Sequence, residues 1–231
     1  MIAIVPEGFE EDEVDGWLEL AAYTDEAGEE RLRGVFGSVR ANALEAGWED
    51  MWRRFHRPVR IGPLWVGPPW EAPPAGALAV VVDPGRAFGT GAHPTTRLCL
   101  ELLLEQEPSS LLDVGCGSGV LAIAAAKLGF SPVNALDADP AAVEAARANA
   151  AANGVEVEVE LGDALGGTLP TAGVAVANIA LAQVEALARR LAAPRLVASG
   201  YLESDRPGLS GWAHLERRGL GGWAADLFAR L

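Results

Sequence analysis

The chain has 231 residues with a formal net charge of −14, and half of its residues are hydrophobic. This composition excludes an intrinsically disordered chain, because such chains contain too few apolar residues to form a core. Residues 1–30 contain eleven acidic residues and no Lys or Arg, so the rest of the chain is close to neutral and lacks the basic surface of a general nucleic-acid-binding protein.

The N-terminal sequence argues against targeting to a membrane. Residues 1–7 have no basic start and turn acidic at once, which does not fit a signal peptide. The longest uncharged stretch, residues 164–184, contains Gly166, Gly167 and Pro170, which would interrupt a membrane-spanning helix. We therefore expect a soluble, cytoplasmic protein without a membrane partner.

Residues 1–46 are expected to form a small α+β unit in the order strand, strand, helix, strand. The helix is predicted at residues 26–36, between strands at 17–24 and 37–44. A unit of this length is too short for a substantial core of its own. Residues 47–82 concentrate Trp and Pro, which favours a packed connector over a flexible linker because Pro restricts the backbone.

Beyond residue 83 the pattern becomes one of strands separated by helices. Strands are predicted at residues 111–114, 133–136, 155–161, 174–177 and 195–199. Helices are predicted at residues 120–128 and 181–191 and after Asp139, an N-cap candidate followed by Pro140. This alternation predicts an α/β fold with a parallel, doubly wound sheet. Two last strands, at residues 214–218 and 223–228, predict an antiparallel hairpin.

A glycine-rich loop, Asp-Val-Gly-Cys-Gly-Ser-Gly, occupies residues 113–119 after the first of these strands. Glycines here let the backbone approach a ligand, and the following helix offers free N–H groups. A dinucleotide fold would have Gly-x-Gly-x-x-Gly, but Gly119 comes one residue early for that pattern. Asp113 followed by this glycine spacing resembles motif I of S-adenosylmethionine-dependent methyltransferases. A methyl donor is therefore favoured, and a dinucleotide stays open.

Polar residues at three further strand ends fit the same kind of cofactor. Asp137 ends the second strand, where a carboxylate can accept both ribose hydroxyls. Asp163 ends the third strand, where this class has a residue near the adenine. Asn178 ends the fourth strand, and its amide can offer a donor and an acceptor to an incoming amine. A helix N-cap is an equally good interpretation of Asn178 taken alone.

A second motif precedes the glycine loop, at residues 83–96: Asp-Pro-Gly-Arg-Ala-Phe-Gly-Thr-Gly-Ala-His-Pro-Thr-Thr. Gly89 and Gly91 permit close backbone approach, and the segment could cover a cofactor as a lid. Thr95 and Thr96 are predicted to cap a helix at residues 97–104. His93 has no partner at a spacing that would make it a metal ligand, so no metal site is predicted.

These motifs, together with Gly-Trp-Glu-Asp-Met-Trp at residues 47–52, Phe-His-Arg-Pro at 55–58 and Pro-Pro-Trp at 68–70, resemble the ribosomal protein L11 methyltransferase family, PrmA. The resemblance covers about residues 47–205. It implies a seven-stranded, Rossmann-like methyltransferase domain at residues 83–231. It also implies a ferredoxin-like substrate-recognition domain, for which residues 1–46 supply only a part, and a connector at residues 47–82.

The resemblance further implies methylation of lysine ε-amines and of the N-terminal α-amine of that ribosomal protein. S-adenosylmethionine would be the cofactor and S-adenosylhomocysteine the product. Matched by motif, the cofactor contacts would be Thr96, Gly115, Asp137 and Asn178, with Asp113, Gly117 and Asp163 beside them. The adjoining loop would contribute Phe88, Gly89, Thr90, Gly91 and His93. Asn178 is the one candidate catalytic residue.

Three alternatives remain at this point. The chain could methylate another protein or a small amine, or it could bind the cofactor without activity. An RNA methyltransferase is the third, supported by Arg53, Arg54, Arg57 and Arg60, although solvated arginines on a connector helix explain these as well. If the substrate is a protein, the acidic N-terminal residues would steer a basic partner, with an effect that fades as salt rises.

Overall fold

The computed structural model describes residues 10–14, 17–21, 26–40, 57–83 and 91–231. The chain divides into two compact units, Met1–Trp52 and Arg53–Leu231. Within the described ranges, none of the helices has both the length and the apolar character that crossing a bilayer requires.

The first unit contains a β-hairpin and one helix. Strand β1 (Glu10–Val14) pairs antiparallel with β2 (Trp17–Ala21), and helix α1 covers Glu26–Phe36 as predicted. The strand predicted at residues 37–44 is not seen in its described part, residues 37–40. Gly37 instead ends α1, because its φ of 73° and its N–H bond to the Arg33 carbonyl form a helix C-cap. Residues 41–44 lie outside the described residues.

A three-stranded sheet opens the described part of the second unit. It consists of β3 (Val59–Ile61), β4 (Leu64–Gly67) and β5 (Leu78–Val81), with β4 antiparallel to β3 and parallel to β5. The sequence predicted only a connector here, yet the apolar side chains of this sheet are buried in the larger core of the unit. The domain boundaries at residues 46 and 82 remain predictions.

The central sheet has seven strands: β6 (Leu111–Val114), β7 (Val133–Asp137), β8 (Glu158–Leu161), β9 (Val174–Asn178), β10 (Arg195–Leu202), β11 (Trp212–Leu220) and β12 (Trp223–Arg230). Their order is β11-β12-β10-β9-β6-β7-β8. Strand β12 runs antiparallel to β10 and β11, whereas the other neighbours are parallel, as the sequence predicted. Because β7 and β9 flank β6, the strand order reverses at β6, which is where open α/β sheets bind ligands.

Four helices cover this sheet: α2 (Pro94–Leu103), α3 (Val120–Lys127), α4 (Pro140–Ala152) and α5 (Leu181–Ala188). Successive strand residues face opposite sides. Val174 and Val176 accordingly pack with α2, α3 and α4, while Ala175 and Ala177 pack with α5. Strand β9 is apolar on both faces because both of its faces are covered.

The start of α2 differs from the prediction. The helix begins at Pro94, so Thr95 and Thr96 lie inside its first turn and do not cap it. His93 is the N-cap residue, and its Nδ1 accepts a hydrogen bond from the Thr95 N–H at 3.4 Å. Proline at the first helical position accounts for the earlier start, because its fixed φ suits a helix and its missing N–H is not needed there. The predicted Asp139 cap of α4 is confirmed, since its carboxylate accepts from the Ala141 N–H at 2.9 Å.

Candidate functional site

A cleft of about 330 Å³ opens at the carboxyl ends of β6, β7 and β9. It brings together six of the residues that the sequence predicted for the site: Thr96, Gly115, Gly117, Asp137, Asp163 and Asn178. The cleft therefore lies at the reversal of strand order, and its volume is within the range of roughly 300–1,000 Å³ typical of small-molecule sites.

The glycine loop after β6 forms one wall of this cleft. Gly115, Gly117 and Gly119 all have positive φ, at 71°, 53° and 79°, a conformation that other residues adopt only with strain. A Cβ on Gly115 would also overlap the Ile179 side chain, which follows β9. The Gly115 N–H donates to the Leu136 carbonyl at 2.9 Å. The loop is thus fixed between β7 and the end of β9.

Asp137, the last residue of β7, is joined to the glycine loop. One of its carboxylate oxygens accepts from the Gly117 N–H at 2.9 Å, and the other accepts from the Asp139 N–H at 3.0 Å. Each carboxylate oxygen has a second lone pair. The carboxylate is therefore oriented by the backbone and retains acceptor capacity for a ligand in the cleft.

Asp113 lies behind the loop and is absent from the residues that line the cleft. Its side chain is 1% exposed, and it accepts from the Ala122 N–H in α3 at 3.1 Å. Its other oxygen has no hydrogen-bond partner among the described residues. Burial raises the pKa of Asp113 to about 7, the nearby Asp137 charge adds to this rise, and the Ala122 hydrogen bond opposes it. In this structure the carboxyl anchors the first turn of α3.

Asp163 lines the end of the cleft next to β8, just beyond the last residue of that strand. Its carboxylate accepts from the Leu165 N–H at 2.8 Å, which closes a turn, and Leu165 also lines the cleft. This end of the cleft therefore combines a carboxylate with an apolar side chain.

Asn178 ends β9 beside Thr96 of α2. Its Nδ2 donates to the Thr96 hydroxyl at 3.4 Å. Its Oδ1 is buried and has no hydrogen-bond partner within the part of the chain that the structure describes. The next residue, Ile179, donates its N–H to the Ser199 carbonyl of β10 at 3.0 Å. The backbone at Asn178 is thus fixed, and one polar atom of the side chain stays available for a ligand.

The motif at residues 83–96 is only partly described. Phe88, Gly89 and Thr90 lie outside the described residues. Gly91 and His93 do not line the cleft. Burial lowers the pKa of His93. The His93 ring makes a T-shaped contact with the Trp223 ring, with 5.0 Å between the ring centroids.

Two features of the site escaped the sequence analysis. Gln183 of α5 lines the cleft, and no local motif distinguishes it. Asn149 of α4 contacts the glycine loop from behind, and its partners are distant in sequence. An asparagine in an otherwise alanine-rich helix was the one signal that could have drawn attention to it.

A family model, two relatives and a solved structure that this chain resembles all carry the name of a ribosomal protein L11 methyltransferase or methylase. Residues 9–205 match the family model described as "Ribosomal protein L11 methyltransferase (PrmA)". A protein named ribosomal protein L11 methyltransferase from an Exiguobacterium species is 40% identical over 198 residues, which are 77% of this chain and 62% of that protein. One of the same name from Herpetosiphon aurantiacus is 51% identical over 133 residues, covering 52% of this chain and 40% of that protein.

A solved structure, of ribosomal protein L11 methylase from Lactobacillus delbrueckii subsp. bulgaricus, also resembles this one. The TM-score is 0.66 with 29% sequence identity, and the match covers 76% of this chain and 99% of that chain. This chain spans only part of the length of the curated relatives that it matches, 62% of the Exiguobacterium protein and 40% of the Herpetosiphon protein.

Proposed function

Because the chain belongs to the ribosomal protein L11 methyltransferase family, we propose that it methylates amines of that ribosomal protein with S-adenosylmethionine as the donor. The amines in this proposal are lysine ε-amines and the N-terminal α-amine. The residue pattern of the cleft and the family membership support the reaction class. The substrate rests on the family alone.

The residues of the cleft fit S-adenosylmethionine. Asp137 would accept hydrogen bonds from the ribose hydroxyls, since its carboxylate is already oriented by backbone N–H groups. An acidic residue at the end of a strand has the same role in dinucleotide-binding folds. Asp163 and Leu165 would border the adenine. Gly115 packs without a side chain against Ile179, which holds the loop backbone in the wall of the cleft. Thr96 and Asn178 would lie at the methionine end.

The observation that carries the proposal is the buried Oδ1 of Asn178, which has no hydrogen-bond partner among the described residues. A buried acceptor without a partner is uncommon, because it loses its hydrogen bond to water without replacing it. An amine N–H in the cleft would satisfy this atom. With Nδ2 donating to the Thr96 hydroxyl, Oδ1 would be the acceptor for the substrate.

Methyl transfer requires chiefly that the protein orient the amine and the methyl donor toward each other. S-adenosylmethionine, when bound, supplies a methyl group on a sulfonium that an amine lone pair can attack directly. Lysine has an unperturbed pKa of about 10.4, so the amine must lose a proton before it reacts. Transfer into a dry cleft lowers the pKa of an amine and favours its neutral form. Asn178 Oδ1 would then orient the neutral nitrogen, and water would take the proton; correct orientation alone can supply much of the rate.

An assay with radiolabelled methyl donor tests this proposal against its rivals. Ribosomal proteins and ribosomal RNA, each from a strain without this enzyme, would be offered separately. We expect label in a large-subunit ribosomal protein and none in RNA. Label in RNA would favour the RNA methyltransferase, and label in neither, despite donor binding by calorimetry, would favour a binding module without activity.

A further inference from the structure

Asn149 of α4 forms a buried bridge behind the glycine loop. Its side chain is 4% exposed. Its Oδ1 accepts from the Asp83 N–H at 3.1 Å, and its Nδ2 donates to the Ser118 carbonyl at 2.9 Å. One amide thus joins the chain just after β5 to the centre of the glycine loop.

The loop also packs directly on α4. Ala146 and Asn149 are three residues apart and share one face of the helix. A Cβ on Gly119 would lie 3.1 Å from the Ala146 Cβ, so the absence of a side chain at Gly119 permits the close contact. The Ser118 side chain is itself fully buried. This face of α4 therefore forms the support on which residues 118 and 119 lie.

Asn153, four residues further on, makes a similar bridge that does not reach the loop. Its Oδ1 accepts from the Val81 N–H at 2.9 Å, and its Nδ2 donates to the Val81 carbonyl at 2.6 Å. Both asparagines therefore attach α4 to the segment at residues 81–83. Only Asn149 adds a hydrogen bond to the glycine loop.

We propose that Asn149 is a positioning residue for cofactor binding, which keeps the glycine loop in its binding conformation through the Ser118 carbonyl. Gly117 and Gly119, on either side of Ser118, can adopt many backbone conformations because they lack a side chain. The Asn149 hydrogen bond restricts this freedom at the residue between them. This inference rests on the proposed function only in that the cleft is taken to bind S-adenosylmethionine.

The effect on affinity follows from the fraction of molecules with the loop in place. Apparent affinity falls in proportion to the binding-competent fraction. Removing one buried hydrogen bond is expected to shift the loop equilibrium about tenfold, which lowers the competent fraction by up to that factor. Asn149→Asp is the most informative variant, because it keeps an acceptor for the Asp83 N–H, loses the donor to Ser118 and places a carboxylate oxygen against the Ser118 carbonyl. Asn153→Ala is the matched control, because it loses three partly buried side-chain hydrogen bonds at the C-terminal end of the same helix, two to Val81 and one to the Asn149 carbonyl, without touching the loop.

The test is calorimetric titration of the whole chain with S-adenosylhomocysteine, at a temperature where thermal unfolding shows each variant to be folded. We expect Asn149→Asp and Asn149→Ala to bind about tenfold more weakly. Asn153→Ala should bind within about twofold of the wild type even though its melting temperature is lower. Equal affinity of Asn149→Asp and the wild type would overturn the inference, as would equal weakening by Asn153→Ala.

This design separates the inference from the proposed function. If the wild-type chain does not bind S-adenosylhomocysteine, the proposed function fails, and the inference fails with it. If the wild type binds and the two Asn149 variants bind equally well, only the inference fails. Should Asn149→Ala not fold, Asn149→Asp alone decides, because its bond to Asp83 is retained.

Discussion

The Asp137 carboxylate accepts a hydrogen bond from the Gly117 amide over 2.9 Å, which joins the end of β7 to the glycine loop after β6. The two residues are twenty positions apart and come from neighbouring parallel strands. The bond fixes the orientation of the carboxylate before any ligand arrives. Binding then needs little rearrangement at this point, which favours affinity.

Replacing Asp137 by Ala should weaken binding of S-adenosylhomocysteine roughly tenfold to a hundredfold, because hydrogen bonds to a charged group are lost. Calorimetry measures the change. Asp139→Ala is the matched control, since Asp139 is exposed and caps α4 without lining the cleft. The control should lower the free energy of unfolding by about 1 kcal/mol and leave affinity unchanged. Similar affinities for Asp137→Ala and the wild type would contradict the proposed role of Asp137.

Asn178→Ala should reduce the rate of methyl transfer far more than it reduces cofactor affinity. The variant removes the Oδ1 acceptor that would orient the amine, while the rest of the cleft is retained. We expect a fall in single-turnover rate on the order of a hundredfold, in keeping with the contribution of orientation. Calorimetry with S-adenosylhomocysteine provides the comparison. Equal losses of rate and affinity would rule out Asn178 as an amine-positioning residue.

Gly200 supports the backbone at Asn178 from the neighbouring strand. It forms a bulge in β10 with a φ of 101°, and a Cβ there would overlap the Ile179 backbone. Gly200→Ala should therefore lower the free energy of unfolding by at least about 2 kcal/mol, from backbone strain plus the displaced chain. It should also slow methyl transfer.

The control for this prediction is Gly222→Ala, in the turn before β12. Gly222 has a φ of 82° but open space around its Cβ position, so it reports the strain of positive φ alone. A loss of about 1 kcal/mol is expected there, with unchanged activity. Denaturant unfolding measures both variants. Equal losses would show that the Ile179 contact does not matter.

The raised pKa of Asp113 predicts that the free energy of unfolding depends on pH in a specific way. Its pKa is raised from 3.8 to about 7 in the folded protein, chiefly by burial. Between these values the folded chain binds a proton that the unfolded chain has released, so the contribution of this group to stability falls as pH rises. One proton limits the slope to about 1.4 kcal/mol per pH unit.

The variant Asp113→Asn cannot titrate at this position but keeps an acceptor for the Ala122 N–H. Its free energy of unfolding relative to the wild type should therefore rise as the pH increases from about 4 to about 7. Urea unfolding across this range measures the difference. Parallel stability profiles of the two proteins would show that Asp113 does not carry a raised pKa.

Local sequence signals predicted much of the second unit. The strand before the glycine loop, the glycine-rich turn itself and the Asp139 cap depend on neighbouring residues, and all were predicted. The three-stranded sheet was not, because its strands are short and are separated by Gly and Pro. Asp113 was predicted at the cofactor by motif, but the structure gives it a buried position behind the loop.

The hydrogen bonds of Asn149 behind the glycine loop could not be predicted from the sequence, for a different reason. Asn149 is 66 residues from Asp83 and 31 from Ser118, so only the folded topology brings the three together. An asparagine in a helix gives no sign of such partners in the sequence.

We propose that this chain methylates amines of ribosomal protein L11. Peptide mass spectrometry of unmethylated L11, after incubation with the chain and S-adenosylmethionine, tests it most directly. We expect whole-methyl mass increases on lysine side chains or on the N-terminal amine, which form on the order of a hundredfold more slowly when Asn178→Ala replaces the wild type. An unmodified L11, in the presence of a chain that binds S-adenosylhomocysteine, would contradict it.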